Sequence, residues 1–251
     1  MMMTRRLDPH YRKEKILAYV IEQYIHNITP ISSGQIVEQC FSDLSSATVR
    51  NVLAELEDEG FLTHPHTSSG RVPTQDGYRY YVNHLMHEIK LLAEEKKRIL
   101  HEYHQGISEI EELLRKTSEI LSQETKYPSI ISIDGDRKKV FCHGMSFVAG
   151  YPEFHNIQRI HHILQVLEAK ERILGLINRD LEQKIKIYIG DEVDCEDIEG
   201  CSLIISKFGK KDGRTGRLAL LGPTRMDYEK VISTLEYFSE LIDQMVESEK
   251  L

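Results

Sequence analysis

Residues 45–74 read SSATVRNVLAELEDEGFLTHPHTSSGRVPT, and this stretch decides the fold of the N-terminal part. Ser45 is suited to cap a helix, and Val49, Val52, Leu53 and Leu56 recur at three- and four-residue spacing to give that helix one apolar stripe. Gly60 stands where a left-handed C-cap belongs. Residues 61–64 then look extended, 65–70 are rich in turn formers, and 71–73 look extended again, which is the pattern of a small hairpin.

The residues on either side fit the same plan. Asp8 followed by Pro9 is a helix start, and Ile16, Leu17, Val20, Ile21, Tyr24 and Ile25 mark the buried face of a first helix that ends within 27–30. A short second helix is expected from Ser32 or Ser33, carrying Ile36, Val37 and Cys40 inward and stopping within 41–44. Three helices with a tight turn between the last two form a helix-turn-helix, and a hairpin directly after the third makes it a winged helix. Thr74 caps a further helix holding Tyr78, Tyr81, Val82 and Leu85.

A recognition helix presents its first turns to base edges in the major groove, which calls for short polar side chains and a long donor. Ser45, Ser46, Ala47, Thr48, Arg50 and Asn51 meet that need: the serines suit phosphate oxygens, Arg50 a guanine, Asn51 an adenine, and Ala47 or Thr48 a thymine methyl. The plain alternative is that Ser45 is only a cap and Arg50 only pairs with a nearby acid. The wing offers His66, Thr67, Ser68, Ser69, Gly70 and Arg71, short donors and an arginine able to enter a minor groove. Arg5, Arg6 and Arg79 are expected to act on phosphates and hence on salt dependence.

Charge over the whole chain argues the other way. The 251 residues carry 32 basic and 40 acidic side chains, a net −8 that is wrong for a protein coating nucleic acid by bulk electrostatics. The distribution is local: residues 4–15 hold five basic side chains against two acids, while Glu55, Glu57, Asp58 and Glu59 crowd the far end of the recognition helix. Four scattered cysteines without C-x-x-C spacing suggest reduced thiols and a cytoplasmic protein. No apolar run is long enough for a membrane span, and no targeting segment is expected.

From Leu85 the apolar or tolerable positions step through Ile89, Leu92, Lys96, Ile99 and Tyr103, and after a stutter through Ile110, Leu114, Thr117 and Leu121. This heptad-like alternation reads either as amphipathic helices packed on their own chain or as a seam between two subunits. Gly106 and a capping box of Ser108 with Glu111 would divide it into two helices.

Beyond Pro128 the pattern turns mixed. Strands are expected at 129–133, 139–145, 184–189, 201–206 and 216–221. Helices are expected at 156–167, with Ile157, Ile160, Leu164 and Leu167 inward, and at 168–181. A last helix, capped by Thr224 with Asp227, carries Tyr228, Val231, Ile232, Leu235, Phe238, Ile242 and Met245 on one face. The class is α+β with a mostly antiparallel sheet. The expected domains are 1–84, a winged helix; 85–127, a helical connector and candidate dimer seam; and 128–251, an α+β domain.

The strings SSATVRN, LAELEDEGFL, THPHTSSGRVPT and GYRYYV, followed near the C-terminus by Pro152-Glu153-Phe154, Cys201-Ser202-Leu203-Ile204 and LGPTRMDYEKVISTLEYFSELI, resemble the HrcA family of bacterial heat-inducible transcription repressors. The resemblance implies a homodimer that binds an inverted-repeat operator, called CIRCE, upstream of chaperone operons and releases it on heating. It further implies help from a GroE-type chaperonin, no small-molecule cofactor, and a GAF-like C-terminal domain. The chain departs from the family between 127 and 147, where the family usually carries several strands and an inserted dimerisation domain. A reduced GAF-like domain follows from that, with the seam as its substitute for the insert: Ile89, Leu92, Ile99, Tyr103, Ile110 and Leu114 are the candidate dimer interface.

Two other classes were weighed. His84 with His87, and His101 with His104, have a helical spacing that can hold a metal, so a metal-sensing winged-helix repressor is the alternative function. The run Asp191, Glu192, Asp194, Glu196, Asp197 and Glu199 lacks the glycine placement of an EF-hand and reads as a solvated loop. No P-loop, G-x-S-x-G or H-E-x-x-H is present, so no enzyme is expected. Gly222-Pro223-Thr224-Arg225 reads as structural rather than as an anion site.

Overall fold

The computed structural model describes residues 8–42, 44–65, 70–87, 91–103, 110–134, 139–154, 156–179, 183–209 and 215–248. They fall into two compact units, 1–87 and 88–251.

In the first unit, helix α1 (Pro9–Asn27) begins on Asp8, whose side chain accepts from the His10 amide, and ends on Ile28 in the left-handed region. Helix α2 (Ser33–Gln39) is started by a capping box between Ser32 and Gln35. Helix α3 (Ser46–Asp58) is capped by Ser45 and closed by Gly60 at φ +81°. Strands β1 (Leu62–Thr63) and β2 (Val72–Pro73) form an antiparallel ribbon, followed by α4 (Gln75–Tyr80) on its Thr74 cap. The core joins Ile16, Val20 and Ile21 of α1 with Ile36, Val49, Leu53, Leu56 and Leu62, all at most 4% exposed. Cys40, expected inward, is exposed instead. Helix α2 has ended by then, and Phe41 turns in and takes the buried place.

The helix that opens at Thr74 does not run on into the charged segment. It passes into one π turn, Tyr81–Leu85, and Met86 is extended. Leu85 therefore belongs to the first unit, and the continuous seam expected from 85 is broken at its first step.

In the second unit, α5 (Ala93–Tyr103) and α6 (Ile110–Thr125) precede a five-stranded antiparallel sheet in the order β4-β3-β7-β6-β5. Its strands are β3 (Ser129–Ile133), β4 (Lys139–His143), β5 (Ile185–Ile189), β6 (Cys201–Gly209) and β7 (Thr215–Pro223). The period of two sorts the side chains. Ile130, Leu203, Ile205, Ala219 and Leu221 meet α7 (Ile157–Glu168) and α8 (Lys170–Ile177) on one face. On the other, Ser129 bonds to Ser118 of α6 and Ser202 to Tyr228 of α9 (Tyr228–Ser248), so those two helices cover that face.

Several expectations shift in register here. On α7, Leu167 is buried and Ile160 and Leu164 pack partly buried against the core as expected, Ile163 and Val166 join them, and Ile157 is 81% exposed in the helix's first turn. The carboxylate of Asp227 accepts from the Lys230 amide at 3.2 Å, so Asp227 rather than Thr224 caps α9. The larger correction concerns the dimer seam. Ile99, Tyr103 and Leu114 are 1%, 5% and 0% exposed within a single chain. The Tyr103 hydroxyl donates to Thr117 Oγ1 at 2.6 Å, and its ring lies 6.5 Å from that of Phe238. The apolar surface of these residues is spent on the chain's own helices, so they offer nothing to a second subunit. Ile110 is half-buried, Leu92 is 69% exposed, and Ile89 lies outside the described residues.

Candidate nucleic-acid interface

The start of α3 is built by two linked hydroxyl networks. Ser45 Oγ accepts from the Thr48 amide at 3.0 Å and lies 2.9 Å from Thr48 Oγ1, which ties both side chains into the first turn. Ser46 Oγ meets Ser33 Oγ, on the first residue of α2, at 3.1 Å. Arg50 Nε donates to that same Ser33 Oγ at 3.4 Å. Ser33 was not singled out from the sequence; its importance comes from the turn that brings the first turns of α2 and α3 together, which no local spacing announces.

With Val49, Val52, Leu53 and Leu56 turned into the core, the exposed side of α3 carries, ahead of Glu55 and Asp58, the stripe Ala47, Arg50, Asn51 and Ala54. These are the i, i+3, i+4 and i+7 positions of one helix face. Ala54 was also missed by the sequence reading; two alanines flanking an arginine and an asparagine leave the long donors standing clear. No ion pair ties Arg50 to an acid among the described residues, so the simple pairing alternative has no support there.

The ribbon is anchored next to this helix. Ile31 and Arg71 exchange both backbone hydrogen bonds at 2.9 Å, adding a bridge outside the two strands. Gly70 is required by that approach, since a Cβ there would come within 2.4 Å of the Ile31 carbonyl. The Arg71 guanidinium pairs with Glu57 at 2.8 Å and is 20% exposed, and His64 Nδ1 contacts the same carboxylate. Arg71, expected to reach a minor groove, is thus turned back onto the last turn of α3 because an acid waits there. Arg79 lies half-buried in the last turn of α4. His66, Thr67, Ser68, Ser69, Arg5 and Arg6 lie outside the described residues.

At the acidic end of α3, Glu57 holds Arg71 and His64 and Glu59 holds Lys13 at 2.5 Å, while Glu55 and Asp58 are exposed. On α1, Glu14 accepts from the Tyr80 hydroxyl at 2.8 Å. That hydrogen bond, helped by burial, pushes the Tyr80 hydroxyl above its ordinary value. Replacing Glu57 by Ala is expected to cost about 1 kcal/mol, as for a partly exposed ion pair, and to loosen the ribbon first. Amide exchange at residues 62–63 and 72–73 rising before that of α1 would show it; equal protection in both proteins would count against the role.

Of the other candidate sites, His84 meets the Tyr80 ring tilted, with centroids 4.7 Å apart, His101 is exposed, and His104 lies outside the described residues; among the described residues no group of three or more His, Cys, Asp or Glu is arranged to hold a metal. Asp197 of the acidic run pairs with Arg172, which with its hydrogen bond holds that carboxyl below the usual range. Arg225 pairs with Glu153 and faces the Tyr151 ring. No helix among the described residues is long and apolar enough to cross a membrane.

A mainly helical unit whose third helix exposes a polar stripe, followed by an α+β unit, has the make-up of a transcription regulator. The chain belongs to the HrcA family: the sequence pattern described as HrcA protein C terminal domain matches residues 90–232. Heat-inducible transcription repressor HrcA of Pelotomaculum thermopropionicum is 24% identical, over 94% of this chain and 96% of that protein. The protein of the same name from Acetivibrio thermocellus is 27% identical, over 94% and 96%. The first alignment runs over 335 positions, so at least 84 of them have no counterpart in these 251 residues. A crystal structure titled only as a hypothetical protein shares the fold, with a TM-score of 0.73 over 96% of this chain and 97% of that one, at 16% identity.

Proposed function

We propose that the first unit is a winged helix whose α3 enters the major groove of an inverted-repeat operator, one unit per half-site. The chain is a transcription repressor of the heat response. The observation that carries the DNA reading is the exposed stripe Ala47, Arg50, Asn51 and Ala54, with Ser45 and Ser46 at the helix start where amides and hydroxyls suit a phosphate. A bidentate arginine suits guanine and an asparagine suits adenine, with alanines as partners for thymine methyls. Ser33 positions Arg50 without facing a base itself. Residues 66–69, which follow β1 and precede β2 in sequence, are the part proposed to contact the backbone or the adjacent minor groove, with Arg71 left as the anchor of the ribbon.

The second unit is read as a reduced GAF-like domain that assembles two copies. From the family come the finer expectations: a CIRCE-type operator upstream of chaperone operons, cytoplasmic action, release on heating, and restoration by a GroE-type chaperonin. Fluorescence anisotropy with three duplexes tests the reading: the family's inverted repeat, one half-site of it, and a scrambled sequence. Binding is expected to be at least tenfold tighter to the repeat than to the half-site, to fall after brief heating, and to return with chaperonin and ATP. Equal affinity for the scrambled duplex would overturn the reading.

A further inference from the structure

With the helical seam buried, a two-fold assembly must use another surface, and the two edges of the sheet differ in a way that selects one. The edge strand β5 carries an exposed lysine, Lys186, as the second of its five residues, and Arg179 lies 5.0 Å over the Tyr188 ring beside it. An exposed lysine on an edge strand is one way a sheet edge is protected against further pairing. Among the described residues the other edge, β4, shows no such protection: its centre is Val140, Phe141 and Cys142, half-buried, with the strand's charge-bearing residues at its ends, Lys139 and His143. β4 pairs with β3 alone among the described strands. Alongside it lies an open cavity of about 420 Å³, floored by Met145, Leu167 and Ile173.

We propose that β4 pairs antiparallel with β4 of a second copy of this chain, joining two five-stranded sheets into one across a two-fold axis at Phe141. The inference rests on the repressor reading only in its need for two half-site readers. The strand is self-complementary in that register: Phe141 faces its own counterpart, Val140 faces Cys142, and Lys139 faces His143, so no two like charges meet while the histidines are neutral. Opposed residues of an antiparallel pair point to the same face of the sheet. The partner's Val140 and Cys142 would therefore lie on the side where this chain's own Val140 and Cys142 already line the cavity. Glu168 and Lys170 at the same cavity supply one charge of each sign, as a surface that must complement itself requires. An extended strand of another protein would gain the same backbone bonds, but the match of β4 to itself favours a second copy.

The test uses the whole chain without DNA, so that failure to dimerise and failure to bind an operator are read separately. Light scattering at micromolar concentration is expected to give twice the monomer mass. Phe141→Lys, which sets two lysines against each other at the axis, is expected to halve it while the far-ultraviolet circular dichroism and the melting profile stay the same. Phe141→Cys in a Cys40→Ser background, mildly oxidised, is expected to give a covalent dimer, since directly opposed Cα atoms lie about 4.5–5.5 Å apart, within disulfide reach. Ile157→Cys, on a residue that is 81% exposed and therefore more accessible than Phe141, should stay monomeric on a reducing-agent-free gel. A monomeric wild-type chain, a Phe141→Lys protein that is still dimeric, or a Phe141→Cys protein that cross-links no faster than Ile157→Cys would each overturn the proposal.

Discussion

Arg50→Ala lowers operator affinity by roughly 1–3 kcal/mol, one to two decades, and relaxes discrimination at one base pair of each half-site. The size follows from geometry. Arg50 stands exposed between Ala47 and Asn51, and the 3.4 Å bond from its Nε to Ser33 does not use the two terminal guanidinium nitrogens. The two terminal nitrogens, with no bond to an acid among the described residues, are the ones a guanine would engage in a bidentate pair. Arg50→Lys restores little, because an ammonium keeps the charge and loses the planar fork. Ser33→Ala is the companion: it removes no group facing the DNA, so its loss should be smaller than that of Arg50→Ala and should appear at the same base pair. Competition binding against duplexes varied one position at a time measures all three. A loss from Arg50→Ala that is uniform over every sequence would make the residue a phosphate contact, with a shallower salt slope as its mark.

Much of the first unit was legible because its signals are local. Asp8 before Pro9, Ser45 before a stripe, Gly60 after it and Thr74 at the next start each act within one turn of chain, and each does in the structure what its residue type requires. The strands of the sheet were legible for the same reason, since alternation and β-branching are short-range properties. What escaped depends on chain far away. Arg71 looks like a free wing arginine until Glu57, fourteen positions earlier, is brought 2.8 Å from it. Ser33 looks like the first residue of an ordinary capped helix until Ser46 and Arg50 arrive. The alternation from 85 to 121 was real as a pattern, yet three- and four-residue spacing states only that one helix face is apolar; it does not say whose surface covers it. Here the covering surface is the chain's own, with Tyr103 against Phe238 and Thr117.

That distinction makes the largest prediction a test of stability rather than of assembly. Leu114→Glu is expected to destabilise the second unit by ~3 kcal/mol or more, because Leu114 is 0% exposed and a carboxylate placed there loses its hydration without gaining a partner. For a chain of this size that lowers the melting temperature by roughly 6–12 °C. Leu92→Glu, on a residue of the same stretch that is 69% exposed, is expected to stay within about 0.5 kcal/mol of wild type. The pH dependence carries its own sign. Burial raises the pKa of the introduced carboxyl in the folded state above its unfolded value, so the folded state binds the extra proton more tightly and the defect shrinks as pH falls. Urea unfolding of Leu114→Glu should therefore give a smaller loss at pH 5 than at pH 8. A subunit seam at Leu114 predicts the reverse pattern: a monomeric protein with wild-type melting at both pH values. That outcome would return the interface to the helices and remove the need for paired β4 strands.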